Sequence, residues 1–264
     1  PNGRNTHIKH LKEYFEKANA MKICLAQTKS KKGDIKINIQ NHLRWIELAV
    51  SENADFIVFP ELSLTGYEPE LAEALATDQN DARLNVFQEF SDTNRIAIGV
   101  GLPTKSESGI LISMVIFQPN KPRQTYSKQI LHSDEKPYFV AGNKQLILAI
   151  GDTKIGLTIC YESLRPEHSE NAHKLGSELY LASVAKSQGG IEKAYAHFPK
   201  IADNYSMPVL MANCTGFCDN FQSAGQTSVW GENGILIGQL DSQNEGILIY
   251  DTVSKMTHRA NINR

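Results

Sequence analysis

The sequence predicts an α/β fold built on a mixed sheet, and three observations predict it. Strand-like apolar runs alternate with stretches of helical periodicity over most of the 264 residues. Two pairs of adjacent runs are separated only by turn residues, Pro119-Asn120-Lys121-Pro122 and Gly151-Asp152, which read as hairpins. No linker, low-complexity segment or internal repeat divides the chain, so one layered domain is the economical reading.

The elements follow in order. Residues 1–20 carry Lys, Arg, His and Glu throughout and have no apolar core, unlike a signal peptide. They are expected to be an N-terminal extension or a segment added for expression, with Met21 as the natural start. Ile8, Leu11, Phe15 and Ala18 still fall at helical spacing. A strand is predicted over 22–27, a helix near 38–53 and a short buried strand over 55–59 that ends at Pro60. A helix near 80–94 precedes strands at 96–101, 110–118 and 122–127. The polar stretch 128–145, with Pro137 and Gly142, reads as a long loop, and loops of that length inside compact domains usually serve function. Strands at 145–150 and 154–160, a helix near 166–176, a strand at 178–184, a helix near 191–205 and a strand at 208–213 continue the alternation. Short strands with glycine turns fill 226–251, and the polar residues 252–264 read as a C-terminal tail.

Composition excludes several classes. Lys and Arg total 27 against 29 Asp and Glu, so no basic field favours nucleic acid or an anionic membrane. No apolar run approaches the ~18 residues of a membrane span. Four cysteines do not make a disulfide scaffold. Cys24 and Cys160 lie in apolar runs, as reduced thiols of a cytoplasmic protein would. Cys214 and Cys218 lack the second Cys or His pair that a zinc site needs, so no metal is expected.

Three strand ends carry chemistry. In Phe59-Pro60-Glu61-Leu62-Ser63 a buried strand stops at a carboxylate, and α/β proteins bind ligands beyond the carboxyl ends of strands. Burial there would raise the Glu61 pKa towards that of a general base. In Tyr126-Ser127-Lys128 a lysine opens the long loop, where it could hold an oxyanion or a thiolate. In the run from Ile155 to Glu162 an apolar strand delivers Cys160 to a strand-to-helix turn, whose N–H groups favour thiolate. A carboxylate, a cation and a thiol make a complete kit for thiol acyl transfer.

Three blocks then resemble a known family. Phe-Pro-Glu-Leu-Ser-Leu-Thr-Gly-Tyr (59–67), Tyr-Ser-Lys-Gln-Ile-Leu (126–131) and Gly-Leu-Thr-Ile-Cys-Tyr-Glu-Ser-Leu-Arg-Pro-Glu (156–167) are similar, in sequence and in order, to the signature blocks of the nitrilase superfamily, also called carbon–nitrogen hydrolases. The resemblance runs from about residue 21 to 251, and Asn213, Gly225 and Trp230-Gly231 fit its later part. It implies a four-layer α-β-β-α sandwich, a Glu61–Lys128–Cys160 triad and homodimerisation through the helical layer or a larger assembly. It also implies a second glutamate near the nucleophile, for which Glu135 is the best match and Asp134 the alternative.

The implied chemistry is hydrolysis of a small amide to acid and ammonia by way of an acyl-thioester, with water as co-substrate and no cofactor. Cys160 attacks, Lys128 and the Tyr161 backbone N–H hold the oxyanion, and Glu61 moves the protons. Tyr161 after the cysteine is more usual among the superfamily's amidases than its nitrilases, where Trp is common. An N-carbamoyl amidohydrolase stays open, with Arg165 holding a substrate carboxylate, as does a nitrilase. Glutamine-dependent NAD synthetases of the superfamily carry a synthetase domain, which is not expected here. Tyr67, Ser183 and Asn213 are expected along the substrate wall, with the segment from Ser183 to Gln188. Ser183 and Lys186 match a Ser-x-x-Lys pattern only by letters. Two rivals remain: a Cys–His enzyme using His132, His168 or His197, and a non-catalytic scaffold that kept the fold.

Overall fold

The computed structural model describes residues 20–262. The expectations for residues 1–20, including a helix, fall outside the described residues for all but Ala20. In chain order the elements are β1 (Lys22–Gln27), α1 (Ile35–Ser51), β2 (Phe56–Val58), α2 (Ala72–Leu75), α3 (Asn85–Asn94), β3 (Ala97–Ser106), β4 (Gly109–Phe117), β5 (Gln124–Ser127), β6 (Ile147–Ile150) and β7 (Thr153–Ile159). After these come α4 (Pro166–Lys174), β8 (Leu179–Val184), α5 (Gln188–Tyr205), β9 (Val209–Asn213), β10 (Thr215–Cys218), β11 (Phe221–Ala224), β12 (Ser228–Trp230), β13 (Leu236–Gln239), β14 (Gly246–Asp251) and β15 (Thr257–Ala260).

Two mixed sheets form, in strand orders β15-β14-β1-β2-β3-β4-β5 and β13-β12-β9-β8-β7-β6. Side chains alternate across a strand, so each buried strand feeds two apolar layers. Leu25, Val58 and Met114 of one sheet meet Leu157, Leu181, Leu210 and Val229 of the other. On the far face of the first sheet, Ile57, Ile98, Val115 and Ile249 pack against Trp45 and Ile46 of α1 and Phe87 of α3. On the far face of the second, Tyr180, Val209 and Met211 pack against Ala172 of α4 and Ile191, Phe198 and Ile201 of α5. Three apolar interfaces between four layers give the α-β-β-α sandwich that the resemblance implied.

Local chemistry starts and stops the helices. The Asp34 side chain accepts from the Ile37 N–H at 3.1 Å and caps α1, satisfying one of its free donors. Pro166 opens α4, where no partner for its missing N–H is needed. Between Lys128 and Leu146 no strand or helix forms, as the polar loop predicted.

Two elements differ from expectation. The polar residues after Asp251 do not all form a free tail: β15 pairs antiparallel with β14, from Ile247↔Ala260 to Tyr250↔Thr257. The alternation that marks a half-buried strand is blunted there because it is a short edge strand. The hairpin β10–β11 was also not anticipated. Its strands are four residues each and stand outside both large sheets.

Candidate active site

Three strand ends converge, and the sheet registers explain how. β1, β2 and β3 are parallel, so the turn after β2 leaves at one end of the first sheet. The turn presses on the sheet at Gly101, where a Cβ would lie 2.5 Å from the Leu62 nitrogen and 2.6 Å from the Pro60 oxygen. Only glycine leaves room for that approach. β4 lies between β3 and β5, pairing Leu102 with Ser113 and Ser113 with Ser127. Lys128 follows directly, its N–H donating to the Ile112 carbonyl at 2.9 Å. In the second sheet β7 and β8 run parallel with Ile159 opposite Ser183, so Cys160 and the residues after Val184 emerge side by side.

The charged centre is dry. Lys128 is 0% exposed, and its Nζ donates to Glu61 Oε1 at 2.8 Å and Glu135 Oε1 at 2.6 Å. Glu135 also accepts from the Tyr67 hydroxyl at 2.9 Å through Oε1 and from the His132 N–H at 2.8 Å through Oε2. Glu135 is thus the second carboxylate that Lys128 contacts. Asp134 points out to solvent and pairs with the His132 ring. Glu61 Oε2 is buried and makes no hydrogen bond, which leaves it the oxygen free to take a proton.

Cys160 sits at φ 49°, in the left-handed region, as does Leu62 after the base, at φ 52°. A non-glycine residue there costs about 1–3 kcal/mol and is held only where the surroundings insist on it. The turn has the geometry of a nucleophile elbow without its glycines. The Cys160 thiol opens onto a cavity of about 360 Å³, whose lining includes Tyr67, His132, Glu135, Tyr161, Leu164, Lys186, Lys193 and Phe221. A larger cleft of about 510 Å³, beside Pro69 and Tyr138, contains none of the triad.

The field of the site follows from burial and charge. Burial raises the Glu61 pKa; Lys128 opposes this, Glu135 adds to it, and the result is about 7. Burial alone would lower Lys128, but Glu61, Cys160 and Glu135 together hold it above the ordinary lysine value. Burial, reinforced by the Glu61 charge, pushes the Cys160 thiol up to about 12, against the pull of Lys186 and Lys128. Burial thus works against the thiolate that the turn and the two lysines favour, and a neighbouring base would ease loss of the proton.

The remaining expectations divide. Tyr67 lines the cavity and braces Glu135. Tyr161 lines it too, with its ring against that of His132 at 5.0 Å. Arg165 is absent from the lining; its side chain is 45% exposed and paired with Glu167 at 3.0 Å. Ser183 is a cross-sheet strut, its Oγ donating to the Phe59 carbonyl at 2.8 Å. Asn213 stands behind the wall, accepting from the Lys186 N–H at 2.8 Å and donating to the carbonyls of Lys186 and Gly225 at 3.2 and 2.7 Å. Both side chains are consumed by the scaffold.

Glu162 was not anticipated as a site residue. It accepts from the Tyr126 hydroxyl, from the Ile159 N–H at 2.7 Å and from the Gln129 N–H at 2.6 Å. One buried carboxylate thus ties the residue before the cysteine to the residue after the lysine. Its only sequence signal is a charge in an otherwise apolar block, two places after Cys160. Of the histidines weighed as partners for Cys160, His132 lines the cavity, its ring paired with Asp134. His168 is buried against Tyr126, at 3.0 Å, and Tyr180, at 2.7 Å. Among the described residues no His, Cys, Asp and Glu cluster is arranged to hold a metal, and no helix is long and apolar enough to cross a membrane.

Known proteins are similar to this chain in sequence and in fold. The model of the carbon–nitrogen hydrolase family matches residues 22–261. A glutamine-dependent NAD(+) synthetase of Thermotoga maritima is 24% identical over 88% of this chain, which spans only 42% of that relative's length. An (R)-stereoselective amidase of Pseudomonas sp. is 26% identical, over 62% of this chain and 60% of its own. The fold matches that of an amidase from Nesterenkonia sp. AN1, with a TM-score of 0.81 and 23% identity, covering 88% of this chain and 90% of that one. Variants of that amidase have been captured with the acetamide moiety of fluoroacetamide added covalently at the active-site cysteine and in complex with butyramide. The family match spans both sheets and all three converging strand ends: this chain belongs to the carbon–nitrogen hydrolase family.

Proposed function

We propose that the chain is an amidase that converts a small linear amide to its acid and ammonia through an acyl-thioester on Cys160. The observation that carries this reading is the buried Glu61–Lys128–Glu135 array beside a thiol that opens onto a cavity of about 360 Å³. Glu61 Oε2 takes the thiol proton as the sulfur lone pair forms the bond to the carbonyl carbon. The carbonyl electrons move to oxygen, where Lys128 and the Tyr161 N–H receive them; one such donor is typically worth ~10²–10³ in rate. Collapse breaks the C–N bond, and Glu61 gives its proton to the departing ammonia. Water then enters, Glu61 removes its proton, and the acid leaves with the thiol restored. Glu135 anchors Lys128 throughout.

An amide fits better than a carbamoyl amino acid, because Arg165, the residue proposed to hold its carboxylate, is paired with Glu167 outside the cavity. We place the enzyme in the cytoplasm, where the unbonded sulfurs of Cys214 and Cys218, 3.6 Å apart, would stay reduced. We also propose a homodimer through the helical layer.

The test is ammonia release from neutral short-chain amides as a function of pH. A protonated Glu61 cannot accept the thiol proton, so kcat/KM should fall as pH drops through about 7. Glu61→Gln should abolish that limb and most of the rate. A profile flat on the acid side, or a Glu61→Gln variant with the parent's profile, would remove Glu61 as the base.

A further inference from the structure

Lys186 is a buried lysine, 4% exposed, and it has no carboxylate partner among the described residues. Buried lysines are ordinarily paired, because an isolated charge is costly to desolvate. The polar atoms its Nζ reaches belong to Cys160: the sulfur at 3.9 Å and the carbonyl oxygen at 3.4 Å. The chain holds it there firmly. Its backbone N–H and carbonyl are both bound to Asn213. Its stem runs past Gly190 in the first turn of α5, where a Cβ would come within 3.1 Å of the Lys186 Cβ.

The charge count gives this placement a use. Lys128 is clamped between two carboxylates, so the Glu61–Lys128–Glu135 array carries a net charge of −1 while Glu61 is ionised. That array opposes the negative charge that builds on sulfur and then on the carbonyl oxygen during attack. Lys186 is a cation within reach of the sulfur that no carboxylate neutralises.

We propose that Lys186 is a second catalytic cation, which stabilises the Cys160 sulfur as its proton passes to Glu61 and its lone pair attacks the substrate carbon. The proposal rests on the reading of Cys160 as the nucleophile. Lys186 neither gives nor takes a proton. It lowers the cost of charge that Glu61 creates by accepting one, and the burial of Lys186 magnifies the effect. The groups facing the sulfur are Glu61, Lys128, Glu135 and Tyr67 from the first sheet and its loops, and Lys186 from the second. His132, Asp134 and Lys193 stand further out on the lining, and His197 faces Lys186 from α5.

The experiment is alkylation of Cys160 by iodoacetamide, a neutral reagent, followed by intact mass from about pH 6 to 9 in the parent, Lys186→Met and Lys186→Arg. Hydrolysis of a neutral and of an anionic amide is measured in parallel. Lys186→Met should slow alkylation about tenfold or more at each pH and lower kcat more than it raises KM; removing an ion pair near 4 Å moves a pKa by about a unit or more. Lys186→Arg keeps the charge and should recover much of both. Thermal melting confirms that each variant is folded; should Lys186→Met not fold, Lys186→Gln, with its shorter polar side chain, takes its place.

Two results overturn the proposal while leaving the amidase reading intact. One is alkylation at the parental rate without the cation. The other is a loss confined to KM for anionic amides, which would make Lys186 a reader of substrate charge. Failure of the underlying reading looks different: Cys160→Ala would still hydrolyse the amide.

Discussion

Cys160→Ala lowers kcat for a short-chain amide by about 10⁴ or more while leaving thermal unfolding close to the parent's. Loss of one member of a nucleophile–base set typically removes nearly all that the set contributes. The size of the effect follows from the site. Attack by water directly on the amide would meet a Glu61 that is correctly placed but no thiol to share the barrier between two steps. Folding should survive, because the thiol's hydrogen bonds are weak, to the Ala185 carbonyl at 3.6 Å and from Lys186 at 3.9 Å. Cys214→Ala is the control. Cys214 is buried beside Cys218 and Ser223, away from the cavity lining, and its loss should leave kcat within a few-fold. Steady-state ammonia release from both variants checks the pair, and comparable activity in Cys160→Ala would contradict the thioester route.

Lys128→Met has the largest expected effect on stability. It leaves Glu61 and Glu135 buried, 3% and 1% exposed, with no cation between them. Breaking a buried ion pair by removing one partner costs about 3–5 kcal/mol, since the surviving charge stays in the dry interior. Two carboxylates remain here, so the variant should hold at least one proton at neutral pH. The sign is fixed by linkage. Carboxyls whose folded pKa lies above the unfolded 4.5 destabilise most when pH is above the folded value, and the penalty shrinks as pH falls towards 4.5. Urea unfolding should therefore show a larger deficit against the parent near pH 8 than near pH 5. Adding Glu135→Gln should return part of the loss. Activity falls ~10³-fold in either background, because the oxyanion loses its cation. A single variant as stable as the parent at both pH values would contradict the buried array.

The strand ends were legible because each is announced locally. Pro60 stops β2, the hairpin fixes β5, and the apolar run of β7 stops at Cys160, so the three candidate groups are each placed at a strand end before any tertiary information, weak signals singly and telling only as a set. The layer count came from the resemblance and not from periodicity, which cannot tell which faces of two sheets meet. The residues that do not line the cavity are held by partners, one near in sequence and the others remote. Arg165 looked free, but a carboxylate two residues on, Glu167, takes its guanidinium. Ser183 and Asn213 sit where a wall was expected, yet each is bound to backbone that only the tertiary fold brings near, Ser183 to Phe59 across the two sheets and Asn213 to Lys186 beyond the paired ends of β8 and β9. Lys186 carries no signal of its own, since a lysine after a strand is usually a surface residue. It becomes notable only once Ile159 is set opposite Ser183.

The account stands on the thiol of Cys160 meeting an acid and an ammonium in one cavity. Intact mass spectrometry with peptide mapping, after exposure to a slowly released short-chain amide at saturating concentration, tests it most directly. A single acyl group on Cys160, absent in Glu61→Gln and cleared on removal of the amide, is the predicted result. Ammonia release with Cys160 unmodified in rapid-quench samples, or an acyl group on Cys24, Cys214 or Cys218 instead, would contradict it.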